Sequence, residues 1–213
     1  MPKNLGGSNP MLRARKASIS ITSATHEYLP KLLSMIRGFA EYEEVDHLMT
    51  ATSVSLREVL FDSKASAEAL LAFYEEECAG FAMFHSTYCG VRGRKGMFLS
   101  SLYVEPEFRD KGIGIALLKR VAAIASERGY HEAEWNVRSW NDSAISFFRA
   151  AGAEFPKGST RFLMDEDALY CLARRGTEPT DDARPKHQAG GDEFSLKQGG
   201  RDENGHEQIR RTA

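Results

Sequence analysis

The sequence predicts an α/β domain of the α+β kind, with a mixed, mostly antiparallel sheet flanked by helices. Three observations carry that prediction. The runs 69–74, 78–88 and 97–104 are strand-like and follow one another as a meander, joined by short polar turns. Stretches with apolar residues at helical spacing lie before and after the meander. A basic, glycine-containing loop leads from the last run of the meander into the longest of those stretches. Helices on both sides of such a meander cover both faces of the sheet.

The elements follow in order. The segment 18–22 alternates, with Ile19 and Ile21 on one side, and reads as a short first strand. Thr25 is a candidate cap for a helix carrying Leu29, Leu33, Ile36 and Ala40, with Pro30 in the first turn, where proline is tolerated. A short helix is expected over 55–61. The runs 69–74 and 78–88 form a hairpin around an acidic turn at Glu76, and 90–96 is a basic turn before the strand 97–104. A helix over 112–128 has Leu117, Val121 and Ile124 on one face and Gly129 just past its end. The segment 132–138 is expected as a strand. Asn141 or Asp142 caps a helix reaching Ala151 and stopped by Gly152. A last strand over 160–164 and a helical turn or two over 166–173 complete the domain.

The chain has 213 residues, 42% of them apolar and 27% charged, and a formal net charge of −2. That is one ordinary domain with about forty residues over. The near balance of charge gives no footprint for nucleic acid or an anionic membrane, so neither is expected as a partner. Mean hydropathy is −0.42, and no run approaches the roughly 20 apolar residues of a membrane helix. Residues 1–17 lack the apolar stretch of a secretory leader and read as a flexible arm, with Met11 an alternative start. Past residue 173 the large aliphatic and aromatic residues are Phe194, Leu196 and Ile209 alone, so 174–213 reads as a disordered polar tail and 18–173 as the folded domain. Cys78, Cys89 and Cys171 are too few and too scattered for a disulfide framework or a zinc site. No metal is expected, and the odd count fits a reducing cytoplasm.

The strongest chemical signal is Leu102-Tyr103-Val104-Glu105-Pro106-Glu107-Phe108-Arg109-Asp110-Lys111-Gly112-Ile113-Gly114-Ile115. A strand ends, Pro106 turns the chain, and Arg-x-x-Gly-x-Gly opens a helix. Glycines there let backbone N–H groups approach an anion, and the helix N-terminus adds about half a positive charge. Arg109 and Lys111 add full charges. The pattern suits a pyrophosphate. It is not a Walker loop, since Gly-Lys-Ser/Thr is absent. It is not a dinucleotide fingerprint either, since Arg109 stands where the first glycine belongs.

The strand LSSLYV, the loop EPEFRDKGIG, the helix LLKRVAAIA and the segment WNVRSWNDSAISFFRAAGAE follow one another at the spacing of the GNAT acyltransferases. The sequence resembles that superfamily and, within it, the diamine (spermidine/spermine-type) acetyltransferases. AEYEEVDHLM at 40–49, GFAMFHSTY at 80–88 and SWNDSAISFFRAAGA at 139–153 carry the second resemblance. It implies the GNAT fold, with a splayed pair of central parallel strands at 97–104 and 132–138 holding acetyl-CoA as co-substrate. It implies that Leu102, Tyr103 and Val104 hold the pantetheine arm. It implies that Arg109, Asp110, Lys111, Gly112, Ile113, Gly114 and Ile115 hold the pyrophosphate, and that Asn141 touches the pantetheine. The backbone N–H of Leu102 would polarise the thioester carbonyl. The activity implied is N-acetyl transfer to a primary amine of a small molecule: a diamine, a polyamine or an amino acid derivative. An acetyl-CoA-binding module with weak or lost catalysis and a protein or peptide N-acetyltransferase stay open beside it. A homodimer is the implied assembly.

The chain also departs from the family. Phe148 stands where the family has the tyrosine that protonates the departing thiolate, and phenylalanine has no proton to give. Ser146 lies about 200° round the helix from it and is a poor substitute. A thiolate can leave unassisted or through water. On the acceptor side Tyr42 and Glu43 match the family's amine site, but the acidic pair expected on the strand before Leu102 is Ser100-Ser101, and the acidic segment before the last strand is shortened to Phe155-Pro156-Lys157-Gly158-Ser159. His85, beside Tyr88 on a strand flanking the cleft, is a candidate base because histidine is the residue type suited to proton transfer near neutral pH. Trp135 and Trp140 are expected as packing residues.

Overall fold

The computed structural model describes residues 17–156 and 163–173. The expected arm (apart from Ala17), the tail at 174–213 and positions 160–162 of the expected last strand lie outside them. Of that strand Leu163 and Met164 are described, and neither is in a strand. The chain forms two compact units, one running through Phe155 and one beginning at Pro156.

Five strands build the sheet of the first unit: β1 (Ile19–Ser23), β2 (Glu68–Tyr74), β3 (Glu77–Cys89), β4 (Arg94–Val104) and β5 (Ala133–Glu134), side by side in chain order. The first three junctions are antiparallel and β4–β5 is parallel. The acidic turn between β2 and β3 is tight because Glu75 takes a left-handed φ of 58°. The basic turn is shorter than expected. It covers 90–93, and β4 starts at Arg94 rather than at Met97. Gly96 belongs to the strand, where a Cβ would stand 2.9 Å from Thr87 Oγ1 and 3.2 Å from the Glu132 carbonyl oxygen. Its glycine serves close approach between strands, not a turn.

The expected strand over 132–138 shrinks to Ala133–Glu134. It pairs with β4 only at Met97–Ala133 and Phe98–Glu134. Beyond that point the two strands part, so residues 135–138 have no ladder partner. That is the splay the family resemblance implied.

The helices are α1 (Leu29–Tyr42), α2 (Ser53–Phe61), α3 (Ile113–Glu127) and α4 (Asp142–Ala150). Thr25 does not cap α1. A 3-10 turn at His26–Tyr28 intervenes, and the Thr25 side chain makes no cap bond. The buried stripe of α1 is Leu29, Leu32, Met35 and Ala40, so Leu32 and Met35 replace the expected Leu33 and Ile36. Those two meet Leu71, Phe81 and Tyr103 of the sheet. Burial of each such side chain stabilises the fold by roughly 1.5–3 kcal/mol. Thr52 and Ser55 form a reciprocal cap that starts α2 two residues before the expected Ser55, at Ser53. On the opposite face α3 sets Leu117, Val121 and Ile124 against Leu70, Ala82, Met97 and Leu99. Both sheet faces are thus covered, and α4 adds Phe147 and Phe148 at the edge of the α3 core. In the second unit α5 (Glu166–Ala173) begins where the Asp165 carboxylate accepts from Ala168 N at 2.8 Å.

Candidate active site

The opening between β4 and β5 is built by a one-residue irregularity. Phe84 pairs with Leu99 and Met83 with Ser101, which leaves Ser100 unpaired as a β-bulge. Its hydroxyl donates to the Met83 carbonyl at 3.0 Å. Ahead of the bulge, Met97 N–H points toward β5 and donates to the Glu132 carbonyl. After it, Glu105 N–H donates to the Ala79 carbonyl. Antiparallel pairs alternate, so Tyr103 pairs into β3 while Leu102 and Val104 turn their N–H and C=O groups away from it. They face the gap that β5 has vacated.

A cleft of about 600 Å³ fills that gap, lined by β4, the loop after it, the start of α3, and α4. The loop holds two left-handed residues, Asp110 with φ 60° and Gly112 with φ 83°. Gly112 caps α3 in that conformation, and the first intrahelical bond runs from Ala116 N to its carbonyl. The N–H groups of Ile113, Gly114 and Ile115 therefore have no acceptor within the helix. They form a concave anion site with the helix dipole behind it. A Cβ on Gly114 would touch Phe147 at 3.7 Å and Val104 at 3.8 Å, across the cleft wall.

The structure separates the two loop cations. Arg109 lies in the cleft. Its Nε donates to the Val104 carbonyl at 3.2 Å, and its guanidinium lies 4.7 Å over the Tyr42 ring. Lys111 turns away. Its Nζ donates to the Glu107 carbonyl at 2.7 Å and rests on the Tyr74 and Phe108 rings.

Asn141, not Asp142, caps α4, accepting from Ala144 N at 3.0 Å. It is buried, and its Oδ1 also accepts from the Tyr42 hydroxyl at 3.2 Å. Its Nδ2 donates to Glu43 at 3.5 Å. Glu43 is further engaged by Arg138, Nε to Oε2 at 3.3 Å. A second, small pocket of about 60 Å³ opens here, with Glu43, Ser100, Ser101, Trp135 and Asn141 among its walls. Tyr42, Leu102, Ala144 and Phe148 line both cavities and so stand at their junction.

Phe148 packs on Trp135, ring centroids 4.8 Å apart, and Trp140 packs edgewise on Tyr42. His85 and Tyr88 line neither cavity. His85 packs at a tilt on Phe98, ring centroids 5.3 Å apart, and Tyr88 is 67% exposed on the far half of β3. His85, a candidate base from the sequence, thus lies outside the lining of both cavities. Tyr103 packs with Phe39 and Phe81 on the α1 side. Burial pushes its phenol pKa up, against the pull of the nearby Arg109 charge. Burial likewise raises the Cys78 thiol, opposed by Lys31. The sequence did not point to Ser143, Ala144 or Phe147 as cleft walls, although the amphipathic spacing of α4 carries that signal. It did not point to Arg138 either, because nothing local ties it to Glu43.

A profile of the Acetyltransferase (GNAT) family matches residues 32–153. A thialysine N-epsilon-acetyltransferase of Caenorhabditis elegans is 31% identical over 131 residues, covering 62% of this chain and 80% of the relative. An L-ornithine N5-acetyltransferase of Arabidopsis thaliana is 25% identical, over 71% of this chain and 86% of its own length. Among solved structures, an integron cassette protein from the mobile metagenome of V. cholerae superposes with a TM-score of 0.62 at 22% identity, covering 74% of this chain and 98% of that one. An aminoglycoside acetyltransferase from an uncultured soil sample gives 0.58 at 19% identity, over 69% and 97%. These two likenesses speak for the fold. The chain belongs to the GNAT acetyltransferase family. It is an acetyl-CoA-dependent N-acetyltransferase.

Proposed function

We propose that the chain moves the acetyl group of acetyl-CoA to a primary amine of a small molecule, a diamine, polyamine or amino acid derivative. One observation carries this reading. The open backbone edge of β4 runs out of the large cleft and ends at a small pocket with a carboxylate, Glu43, on its wall. Leu102 and Val104 offer a pantetheine arm their outward N–H and C=O groups. The N–H groups from Asp110 to Ile115 suit a pyrophosphate, with Arg109 within reach, whereas the Lys111 side chain is tied up elsewhere. Asn141 contributes as the cap that fixes α4 against Tyr42. The Leu102 N–H is the donor for the oxyanion as the amine attacks.

The acceptors named for the relatives, thialysine and ornithine, are small amines. Arg138 beside Glu43 favours an acceptor that carries a carboxylate as well as the amine, since a bare polyamine gains nothing from a guanidinium. The same reading includes a homodimer in the cytoplasm. Free Cys78, Cys89 and Cys171 agree with a reducing compartment. Among the described residues no helix is long and apolar enough to cross a membrane.

The test is a thiol-release screen over thialysine, ornithine, spermidine, lysine analogues and basic peptides. Turnover confined to small amines supports the reading, and turnover confined to peptides replaces it. Light scattering at micromolar concentration checks for the dimer.

A further inference from the structure

Acetyl transfer to an amine leaves a thiolate, and something must protonate it. Four residues line both cavities, and the reacting carbon has to lie where the cavities meet: Tyr42, Leu102, Ala144 and Phe148. Of these, Tyr42 alone has an acidic side-chain proton. Two other polar groups that line the large cleft are poorly disposed. The Tyr103 hydroxyl points at α1, 2.7 Å from where a Gly38 Cβ would be. Arg109 does not give up its proton at working pH. We infer that the Tyr42 hydroxyl is the proton donor to the departing coenzyme A sulfur, an inference that rests on reading the cleft as the acetyl-CoA site.

The surroundings of Tyr42 suit the task. Its O–H donates to Asn141 Oδ1 at 3.2 Å, which also receives Ala144 N–H, so the phenol oxygen is fixed against the start of α4 and its proton turns from Asn141 to the sulfur as the thiolate forms. The Arg109 guanidinium packs on the face of the ring, 4.7 Å from its centroid. The other charged groups facing this corner are Glu43, neutralised by Arg138, and Asp110 on the cleft wall. In the step itself the amine nitrogen forms a bond to the thioester carbon, and the carbon–sulfur pair of electrons moves to sulfur. The Tyr42 proton moves to sulfur with it. The new ammonium loses a proton to water, and water returns one to Tyr42.

The test compares wild type with Tyr42→Phe, which keeps the ring and its contacts. Coenzyme A is bound to each, and thiolate formation is followed by ultraviolet absorbance across pH. A hydrogen bond to the charged thiolate favours that form, so the midpoint in Tyr42→Phe should lie higher by about one pH unit. Affinity for desulfo-coenzyme A should be the same in both, a readout that a merely structural role would move. With the best acceptor from the amine screen, Tyr42→Phe should lower kcat about tenfold and leave KM for acetyl-CoA unchanged. Equal thiol midpoints, or an unchanged kcat, overturn the proposal. If the screen finds no acceptor, the amine reading fails while the thiol titration still decides this one.

Discussion

Arg109 bridges the two walls of the cleft, its Nε on the Val104 carbonyl at 3.2 Å and its guanidinium 4.7 Å over the Tyr42 ring. Both partners belong to the path a pantetheine arm would take. Binding acetyl-CoA therefore requires Arg109 to leave Val104, and a phosphate offers it a better partner. Arg109→Ala should weaken acetyl-CoA binding by about tenfold at most, because the new phosphate contact replaces an old one. Calorimetry at low and high salt checks this, with the loss shrinking as salt rises.

Gly114→Asp should abolish acetyl-CoA binding, a loss of at least a hundredfold. The added Cβ meets only ordinary contacts with Phe147 and Val104, so folding should survive. The carboxylate then lies in the anion cradle. Gly112→Asp is a poorer test, because its φ of 83° adds backbone strain of about 1–2 kcal/mol to any effect on binding. Unchanged affinity in a folded Gly114→Asp protein would remove the loop from the binding site.

Phe148→Tyr adds a second phenol at the junction of the cavities. In the wild-type background Tyr42 is still present, and turnover should change by less than about threefold. In the Tyr42→Phe background the same substitution should restore turnover by about tenfold. Single-turnover thiol release on all four proteins measures the difference.

Arg138→Ala should free Glu43 from its ion pair. The small pocket then favours cations without a carboxylate. We expect the ratio of kcat/KM for spermidine over that for ornithine to rise about tenfold, read from parallel thiol-release assays. An unchanged ratio would mean that the pair serves only to position Glu43.

Stability should fall at alkaline pH. Burial raises the pKa of Cys78 and Tyr103 in the folded state, so the native protein holds those protons more tightly than the unfolded chain does. Their contribution is complete below the unfolded values, near 8.5 and 10, and is lost as pH rises above them. Melting temperatures from pH 8 to 11 should decline, and Tyr103→Phe should flatten the upper part of that decline. An identical slope in the variant would contradict the assignment.

The loop, α3 and the cap of α4 were legible because each depends on local chemistry: a proline turn, glycines at the helix start, and an asparagine three residues before the N–H it accepts. What was not legible depends on neighbours distant in sequence. The length of β5 is set by where β4 turns away, and residues 135–138 are strand-like in composition with nothing to pair with. The buried face of α1 lies a fraction of a turn from the expected one, since Leu32 and Leu33 are equal as sequence and only the sheet distinguishes them. Arg138 meets Glu43 across 95 residues, a pairing that no local pattern encodes. Ser100 carries none of the glycine or proline marks that usually announce a bulge.

Ser100 also works as a phase shift. In a regular strand the residues that turn toward β5 would continue in odd-numbered register from Met97 and Leu99. The extra residue moves that register to Leu102 and Val104, and the α3-facing side chains shift with it. The same residues paired without the bulge, Ser100 taking Met83 as its partner, would bring Tyr103 out of the α1 core and turn its backbone groups to the cleft, while those of Leu102 and Val104 closed onto β3. The distinction between a strand that completes a sheet and one that offers its edge to a co-substrate thus comes down to a parity of one.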